Sequence, residues 1–237
     1  METKNSALHL IPVPLTGSTT SYLSTESIET AHKITHFIVE NAKSARLFLK
    51  SINHPTPLQS IEIEIITDKP KENWQWVKSI LEKGLDVGIL SEAGLPAVAD
   101  PGNEIVKIAH QNLCKVITHS GPNSMITALM ASGMNGQQFI FHGYLPAKKE
   151  QLREKLIQIV KSHNYPNFTH IFMETPYRNK QVMEIIFNNV PNSYLLSISA
   201  NLHTKDEINY CKTIAQWKVF DSSIFLDAPA IFCFTKN

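Results

Sequence analysis

The sequence predicts an α/β protein made of two α/β domains with a cleft between them. Three observations predict it. Short apolar runs alternate with stretches of helical spacing along the whole chain of 237 residues, which is the pattern of strands joined by helices in largely parallel sheets. The alternation restarts after residues 143–149, whose Gly, Pro and Lys suit a linker. All nine glycines lie at or before Gly143, so only the first part of the chain offers bare backbone to a ligand.

The elements follow in order. Residues 8–13 read as a buried strand, and residues 26–37 have helical spacing with Ser24 or Thr25 as N-cap. Residues 46–51 continue a helix that starts after Ala42. Residues 74–83 form a helix ended by Gly84. Its Trp74 and Trp76 suit core or dimer packing better than a base-stacking platform. Then come a strand at 85–90, a helix at 104–112, a strand at 115–118, a helix at 124–132 stopped by Gly133, and a short strand at 139–141. Beyond the linker lie helices at 150–162 and 177–189 and strands at 169–173, 194–199, 207–211 and 231–234. The domains are therefore residues 1–143 and 144–237.

Composition bounds the function classes. Apolar residues make up 43% of the chain, enough for a sizeable core, and the formal net charge of +1 does not announce a nucleic-acid binder. Up to Gly143 there are 11 Lys/Arg against 13 Asp/Glu, and beyond it 11 against 8. This asymmetry is a weak hint of an anionic substrate. Lys148, Lys149, Arg153 and Lys155 form the only basic cluster, interrupted by Glu150 and Glu154. It reads as a solvated helix face or as a phosphate contact. Cys114, Cys211 and Cys233 are far apart and read as buried reduced thiols, and the ten histidines show no metal spacing, so no metal is expected. No apolar run is long enough to span a bilayer and the N-terminus lacks a signal-peptide layout, so a cytoplasmic protein is expected.

Three segments that each follow a strand can carry chemistry. The densest is Ser91-Glu92-Ala93-Gly94-Leu95-Pro96-Ala97-Val98-Ala99-Asp100-Pro101-Gly102. Its small residues let backbone amides reach a ligand, and its carboxylates suit hydroxyls, an amino group or a sulfonium cation; it also reads as a tight loop capping the next helix. Ser120-Gly121-Pro122-Asn123-Ser124 is either an amide-lined ligand loop or a capped turn. Pro12-Val13-Pro14-Leu15-Thr16-Gly17-Ser18 is neither GxGxxG nor a P-loop, which disfavours nicotinamide and nucleoside-triphosphate chemistry.

Read together, these segments resemble the tetrapyrrole-methylase superfamily of class III methyltransferases, and within it the ribosomal RNA small subunit methyltransferase I family. That family reads S-D-A-G-T-P-x-x-x-D-P-G where this chain has Ser91 to Gly102, and P-G-P-x-x-x-x-T-A-L where it has Ser120-Gly121-Pro122 to Thr127-Ala128-Leu129. It reads G-F-L-P-A-K at Gly143 to Lys148 and F-Y-E-S-x-x-R at Phe172 to Arg178. Departures occur at Glu40-Asn41-Ala42-Lys43 for E-D-T-R, at Ala200-Asn201-Leu202-His203-Thr204-Lys205 for A-R-E-L-T-K, and at Ala228-Pro229-Ala230 for G-E-x-V.

The resemblance implies an S-adenosylmethionine-dependent methyltransferase acting on a ribose 2′-hydroxyl of ribosomal RNA, as a homodimer, with the cofactor folded in the cleft. Leu15, Ser91, Glu92, Ala93, Gly94, Pro96, Asn123 and Ser124 would hold the cofactor from the first domain, and Met173, Glu174, Ala200, Pro229 and Ala230 from the second. Candidates to take the hydroxyl proton are Glu40, Glu92, Glu174 and Lys205. A carboxylate accepts it directly, whereas lysine needs a pKa lowered by burial. Glu174 and Arg178 also read as an i,i+4 pair, and Glu40 as a helix cap. Lys43, Lys148 and Arg178 are the candidate substrate contacts. The departures leave open a tetrapyrrole-like small-molecule acceptor, or a relative that binds the cofactor without turnover.

Overall fold

The computed structural model describes residues 6–17, 20–161, 167–225 and 227–236. Ser18 and Ser162, at the ends of two stretches read above, lie outside the described residues. By its internal contacts the chain divides into two compact units, Met1–Asn123 and Ser124–Asn237.

The first unit contains β1 (Ala7–Leu10), α1 (Thr25–Lys33), β2 (His36–Val39), α2 (Ala42–Ser51), β3 (Glu62–Ile65), α3 (Pro70–Leu81), β4 (Val87–Leu90), α4 (Asn103–Gln111) and β5 (Lys115–Thr118). The sheet order is β3-β2-β4-β1-β5, and every pairing is parallel. Strands covered on both faces read as continuous apolar runs. Phe37, Ile38 and Val39 of β2 and Val87, Ile89 and Leu90 of β4 are accordingly buried. The expected helix over 26–37 is too long. α1, capped by Ser24 through the Ser27 amide, stops at Lys33, and Ile34 already has an extended backbone. The bulky run Phe37-Ile38-Val39 is then taken up between β3 and β4, where its β-branched residues fit a doubly covered strand. The expected elements do not include β3, although Glu62-Ile63-Glu64-Ile65 alternates; at the sheet edge its Ile63 is half-buried and its Ile65 exposed. Trp74 is core, packed with Val77 and Ile80 of α3.

The second unit contains α5 (Ser124–Ser132), β6 (Phe139–Tyr144), α6 (Lys149–Val160), β7 (Thr169–Glu174), α7 (Pro176–Asn189), β8 (Leu195–Ala200), β9 (Ile208–Thr213), α8 (Ile214–Trp217) and β10 (Ala230–Thr235). The sheet order is β6-β7-β10-β8-β9; only β6–β7 is parallel. The expectation of largely parallel sheets therefore fails here. The turn over 201–207 is too short for a crossover, so β8 and β9 pair antiparallel, and β10 inserts between β7 and β8. Gly143 and Tyr144 do not belong to a linker: they close β6, where the register shifts after Phe141 and Gly143 takes a left-handed φ of 67°. α8 is held by a capping box between Thr213 and Gln216. One core joins α6, α7, Trp217 and the stacked Phe172 and Phe232, whose ring centres are 4.9 Å apart. Of the cysteines, Cys233 is buried, Cys114 half-buried and Cys211 exposed, so the reading of all three as buried holds for one.

Candidate functional site

In parallel sheets, ligands bind beyond the carboxyl ends of the strands. The loops after β1, β4 and β5 meet there. Val13 and Gly94 exchange backbone hydrogen bonds, with N to O distances of 2.9 and 3.2 Å. Gly94 has a φ of 71°, and a Cβ placed on it would lie 3.2 Å from Leu15 Cδ2 and 3.3 Å from the Pro122 carbonyl. A Cβ on Gly121 would lie 2.1 Å from Pro12 Cβ, so the chain passes there only as glycine. Ser91 is buried and its hydroxyl donates to the Ala93 carbonyl at 3.2 Å. Pro96 is buried as well, and Ala97 and Ala99 hold left-handed φ values of 65° and 63°. Non-glycine residues reach that region at a cost that the surrounding structure must offset. Leu15, Gly94 and Pro122 are thus gathered at one point, with Asn123 next in sequence and Ser124 as the first residue of α5.

Three carboxylates stand at the same end of this sheet. Glu40 follows β2, and its Oε2 accepts the Glu92 amide at 3.2 Å. Glu92 Oε1 accepts the Ser44 hydroxyl at 2.9 Å. Asp100 is pushed up to about 6, first by burial and then by the charges of Glu40 and Glu92. Sequence offers Asp100 only as one of the two carboxylates of its loop; its grouping with Glu40 is tertiary. Glu40 does not cap α2; Asn41 does, accepting the Lys43 and Ser44 amides. Neither Glu92 nor Asp100 caps α4, whose N-cap position is Gly102.

Beside these carboxylates opens a cavity of about 760 Å³, lined by the loop after β1, by α2 and by Ser91 and the exposed Glu92. α2 presents Ser44, Leu47, Phe48, Lys50 and Ser51 to it. Lys43, Arg46 and Lys50 form a cationic stripe that enters the cavity at Lys50, all exposed, and among the described residues none of them sits in an ion pair. The cluster around Lys148 is therefore not the only basic one. The i, i+3, i+7 spacing of Lys43, Arg46 and Lys50 was the signal that could have found the second.

In the second unit, Glu174, Ala230 and Ala200 face one another across β7, β10 and β8. Met173 precedes Glu174 and the exposed Pro229 precedes Ala230. Glu174 is buried, and neither of its carboxylate oxygens has a hydrogen-bond partner among the described residues. Its cation is Arg178, whose Nη2 lies 3.2 Å away. Burial pushes the Glu174 carboxyl up, against the pull of Arg178. The two do not share a helix: Glu174 ends β7 and Arg178 lies in α7. Arg178 also donates to the Leu145 and Pro146 carbonyls at 3.2 and 2.8 Å, which ties the Leu-Pro-Ala-Lys segment to α7. Lys148, at the N-cap position of α6, and Lys205, on the turn after β8, are exposed. The buried hydroxyls of Ser197 and Ser199, and that of Thr175, have no partner among the described residues. Among the described residues no three His, Cys, Asp or Glu side chains are grouped to hold a metal, and no helix is long and apolar enough to cross a membrane.

No family profile matches the chain. Over 223 residues, 93% of its length, it is 28% identical to a ribosomal RNA small subunit methyltransferase I of Buchnera aphidicola subsp. Schizaphis graminum, covering 75% of that protein. It is 29% identical over 171 residues to the protein of that name from Vibrio cholerae, covering 72% of this chain and 56% of the relative. With the Bacillus subtilis protein of that name the figures are 29% over 176 residues, 74% of this chain and 57% of the relative. The match thus spans little more than half of the last two. Among solved structures, the methyltransferase CobJ superposes with a TM-score of 0.63 at 14% identity, covering 98% of this chain and 95% of that one. Uroporphyrin-III-C-methyltransferase from Thermus thermophilus gives a TM-score of 0.56 at 14% identity, with 98% and 92% covered.

Proposed function

For a chain that shares the fold of these tetrapyrrole methylases and is similar in sequence to the ribosomal RNA small subunit methyltransferases I, we propose methyl transfer from S-adenosylmethionine to a ribose 2′-hydroxyl of ribosomal RNA. The observation that carries this reading is the meeting of Leu15, Gly94 and Pro122 at one point, because the family motifs lie on the last two of these loops. In this reading the loops after β1, β4 and β5 supply one set of cofactor contacts, and Met173, Glu174, Ala200, Pro229 and Ala230 supply another. The protein works in the cytoplasm as a homodimer.

S-adenosylmethionine supplies a methyl group already activated on a sulfonium. The residues present fit it on one structural ground. Glu174 is a buried carboxylate whose ionic partner among the described residues is Arg178, in register with Ala230 and Ala200, and the neighbouring Thr175 hydroxyl has no hydrogen-bond partner among them. These are acceptors suited to the amino and hydroxyl groups of such a molecule. On the first unit, the backbone of 91–94 and 121–124 would hold the rest, with Leu15 and Pro96 as apolar contacts.

The protein's task is to align the acceptor, exclude water and take the hydroxyl proton. Glu174 is engaged by Arg178, and Lys205 is exposed on a turn. Glu40 stands beside Glu92 and the cavity. We therefore assign proton acceptance to the Glu40–Glu92 pair, with Ser44 orienting Glu92. Arg178 acts on the Leu145–Pro146 segment, and Lys43 is the substrate contact best placed by the cavity.

Calorimetry of the purified chain with S-adenosylmethionine tests the cofactor, and a 2′-O-methylation map of ribosomal RNA from cells lacking the gene tests the acceptor. Binding in the micromolar range and the loss of one methyl group are expected. No binding at physiological cofactor concentration would overturn the methyltransferase reading, and an unchanged map would remove the ribosomal acceptor.

A further inference from the structure

The cavity beside α2 has a split character. Leu47 and Phe48 give it an apolar wall, and its β4 side is acidic, with Glu92 in the lining and Glu40 and Asp100 near Glu92. Lys50, in its lining, continues along α2 into the exposed cationic stripe with Arg46 and Lys43, none of which sits in an ion pair among the described residues. At about 760 Å³ it is of the size that holds a cofactor-sized ligand. A polycarboxylate filling it would place anions against three carboxylates. A ligand neutral toward Glu92 and anionic toward Lys50 and the rest of the stripe meets no such repulsion. A nucleotide within an RNA strand has that layout: a flat apolar base, a sugar with hydroxyls, and phosphates to either side.

We propose that this cavity seats the acceptor nucleotide, with the base against Leu47 and Phe48, the sugar hydroxyls toward Glu92, and the flanking phosphates along Lys43, Arg46 and Lys50. This rests on the methyl-transfer reading and names the part of the site that takes RNA. In the transfer the hydroxyl oxygen forms the new O–C bond, the S–C bond breaks with its electron pair left on sulfur, and the hydroxyl proton passes to Glu92. A membrane surface fits the stripe less well. Leu47, 59% exposed, is the one exposed large apolar residue of α2, whereas a helix that inserts into lipid needs a whole apolar face toward it.

The test uses the full chain and a fluorescein-labelled single-stranded RNA read by anisotropy across a salt series. Three phosphate contacts contribute a slope of about 2 to log affinity against log salt, at roughly 0.7 each, or roughly 100-fold in affinity at ~0.1 M salt. The triple variant Lys43→Gln, Arg46→Gln, Lys50→Gln should lose that affinity and that slope, with calorimetric S-adenosylmethionine binding unaltered. A second variant, Ser51→Trp, fills the cavity from α2; it should keep RNA and cofactor binding and lose single-turnover transfer to RNA. Unchanged RNA affinity in the triple variant, or wild-type transfer by Ser51→Trp, would overturn the proposal. So would a triple variant that loses binding to phosphatidylserine vesicles and not to RNA. If the wild-type chain binds no S-adenosylmethionine while its RNA affinity still depends on the stripe, the methyl-transfer reading falls and the RNA surface stands.

Discussion

The two units solve the same problem of presenting polar groups by opposite means. The first works through backbone. Its loops carry left-handed residues at Gly94, Ala97, Ala99 and Gly102, and they approach each other so closely that Gly121 admits no side chain. The second contains no glycine beyond Gly143 and works through buried side chains: Glu174, Thr175, Ser197 and Ser199 all have polar atoms without a hydrogen bond among the described residues. A site made of backbone is indifferent to side-chain chemistry and intolerant of volume. One made of buried side chains is the reverse. Single substitutions can set the two against each other.

The largest effect belongs to the second unit. Arg178→Met removes the cation 3.2 Å from Glu174 and frees the Leu145 and Pro146 carbonyls. Breaking a buried pair from one side costs about 3–5 kcal/mol, because the other charge is left uncompensated. Chemical denaturation of Arg178→Met measures this, and the double variant with Glu174→Gln should recover a large part of it. A loss under about 1 kcal/mol would mean that backbone, not the ion pair, holds the 145–146 segment, and the contrast between the units would fail there.

In the first unit, one methyl group should matter. Gly121→Ala sets a Cβ 2.1 Å from Pro12 Cβ, and a proline ring cannot rotate away. Overpacking of this kind costs about 1–3 kcal/mol, and because the loops after β1 and β5 must part, S-adenosylmethionine affinity should fall with it. Gly136→Ala in the second unit is the control: a Cβ there meets nothing and the backbone is not left-handed. That change should leave stability within about 1 kcal/mol, on the stabilising side. Equal losses at the two positions would erase the distinction.

The same difference decides what could be read from sequence. The backbone loops are legible because glycine, proline and strand-to-helix position mark them, and the segments that hold Gly94 and Pro122 do meet. The row Glu174, Ala230, Ala200 depends on β10 inserting between β7 and β8, which no local pattern announces. It was reached through the family resemblance alone. β2 was lost because a helix and a doubly buried strand abut at Ile34 with no glycine or proline between them. The basic stripe of α2 was hidden by counting charges along the chain, where Lys43, Arg46 and Lys50 look scattered, instead of around the helix. Asp100 is legible as a loop carboxylate, but its raised pKa is not, because burial and the charge of Glu40 are tertiary.

Asp100 provides the smallest and most specific test. Its carboxyl is held at about 6, mainly by burial and further by Glu40 and Glu92. A folded-state value above the unfolded one near 3.9 means that folding favours the protonated form. The contribution to stability is then full below about pH 4 and is lost as the pH rises through about 6. A two-unit shift corresponds to nearly 3 kcal/mol, but Asp100 is only half-buried and solvent screens its neighbours, so about 1 kcal/mol is expected. Asp100→Asn should therefore match the wild-type chain near pH 4 and exceed it by about that amount at pH 7, in unfolding curves taken at both. The histidines do not blur the comparison. His142 is pushed down to about 4, chiefly by burial, and costs stability as the pH falls from 6.5 toward 4, in both proteins alike. Parallel stability curves for the two proteins between pH 4 and 7 would mean that the three carboxylates do not sense one another. The first unit would then owe its character to backbone alone, and the assignment of proton acceptance to Glu40 and Glu92 would lose its electrostatic support.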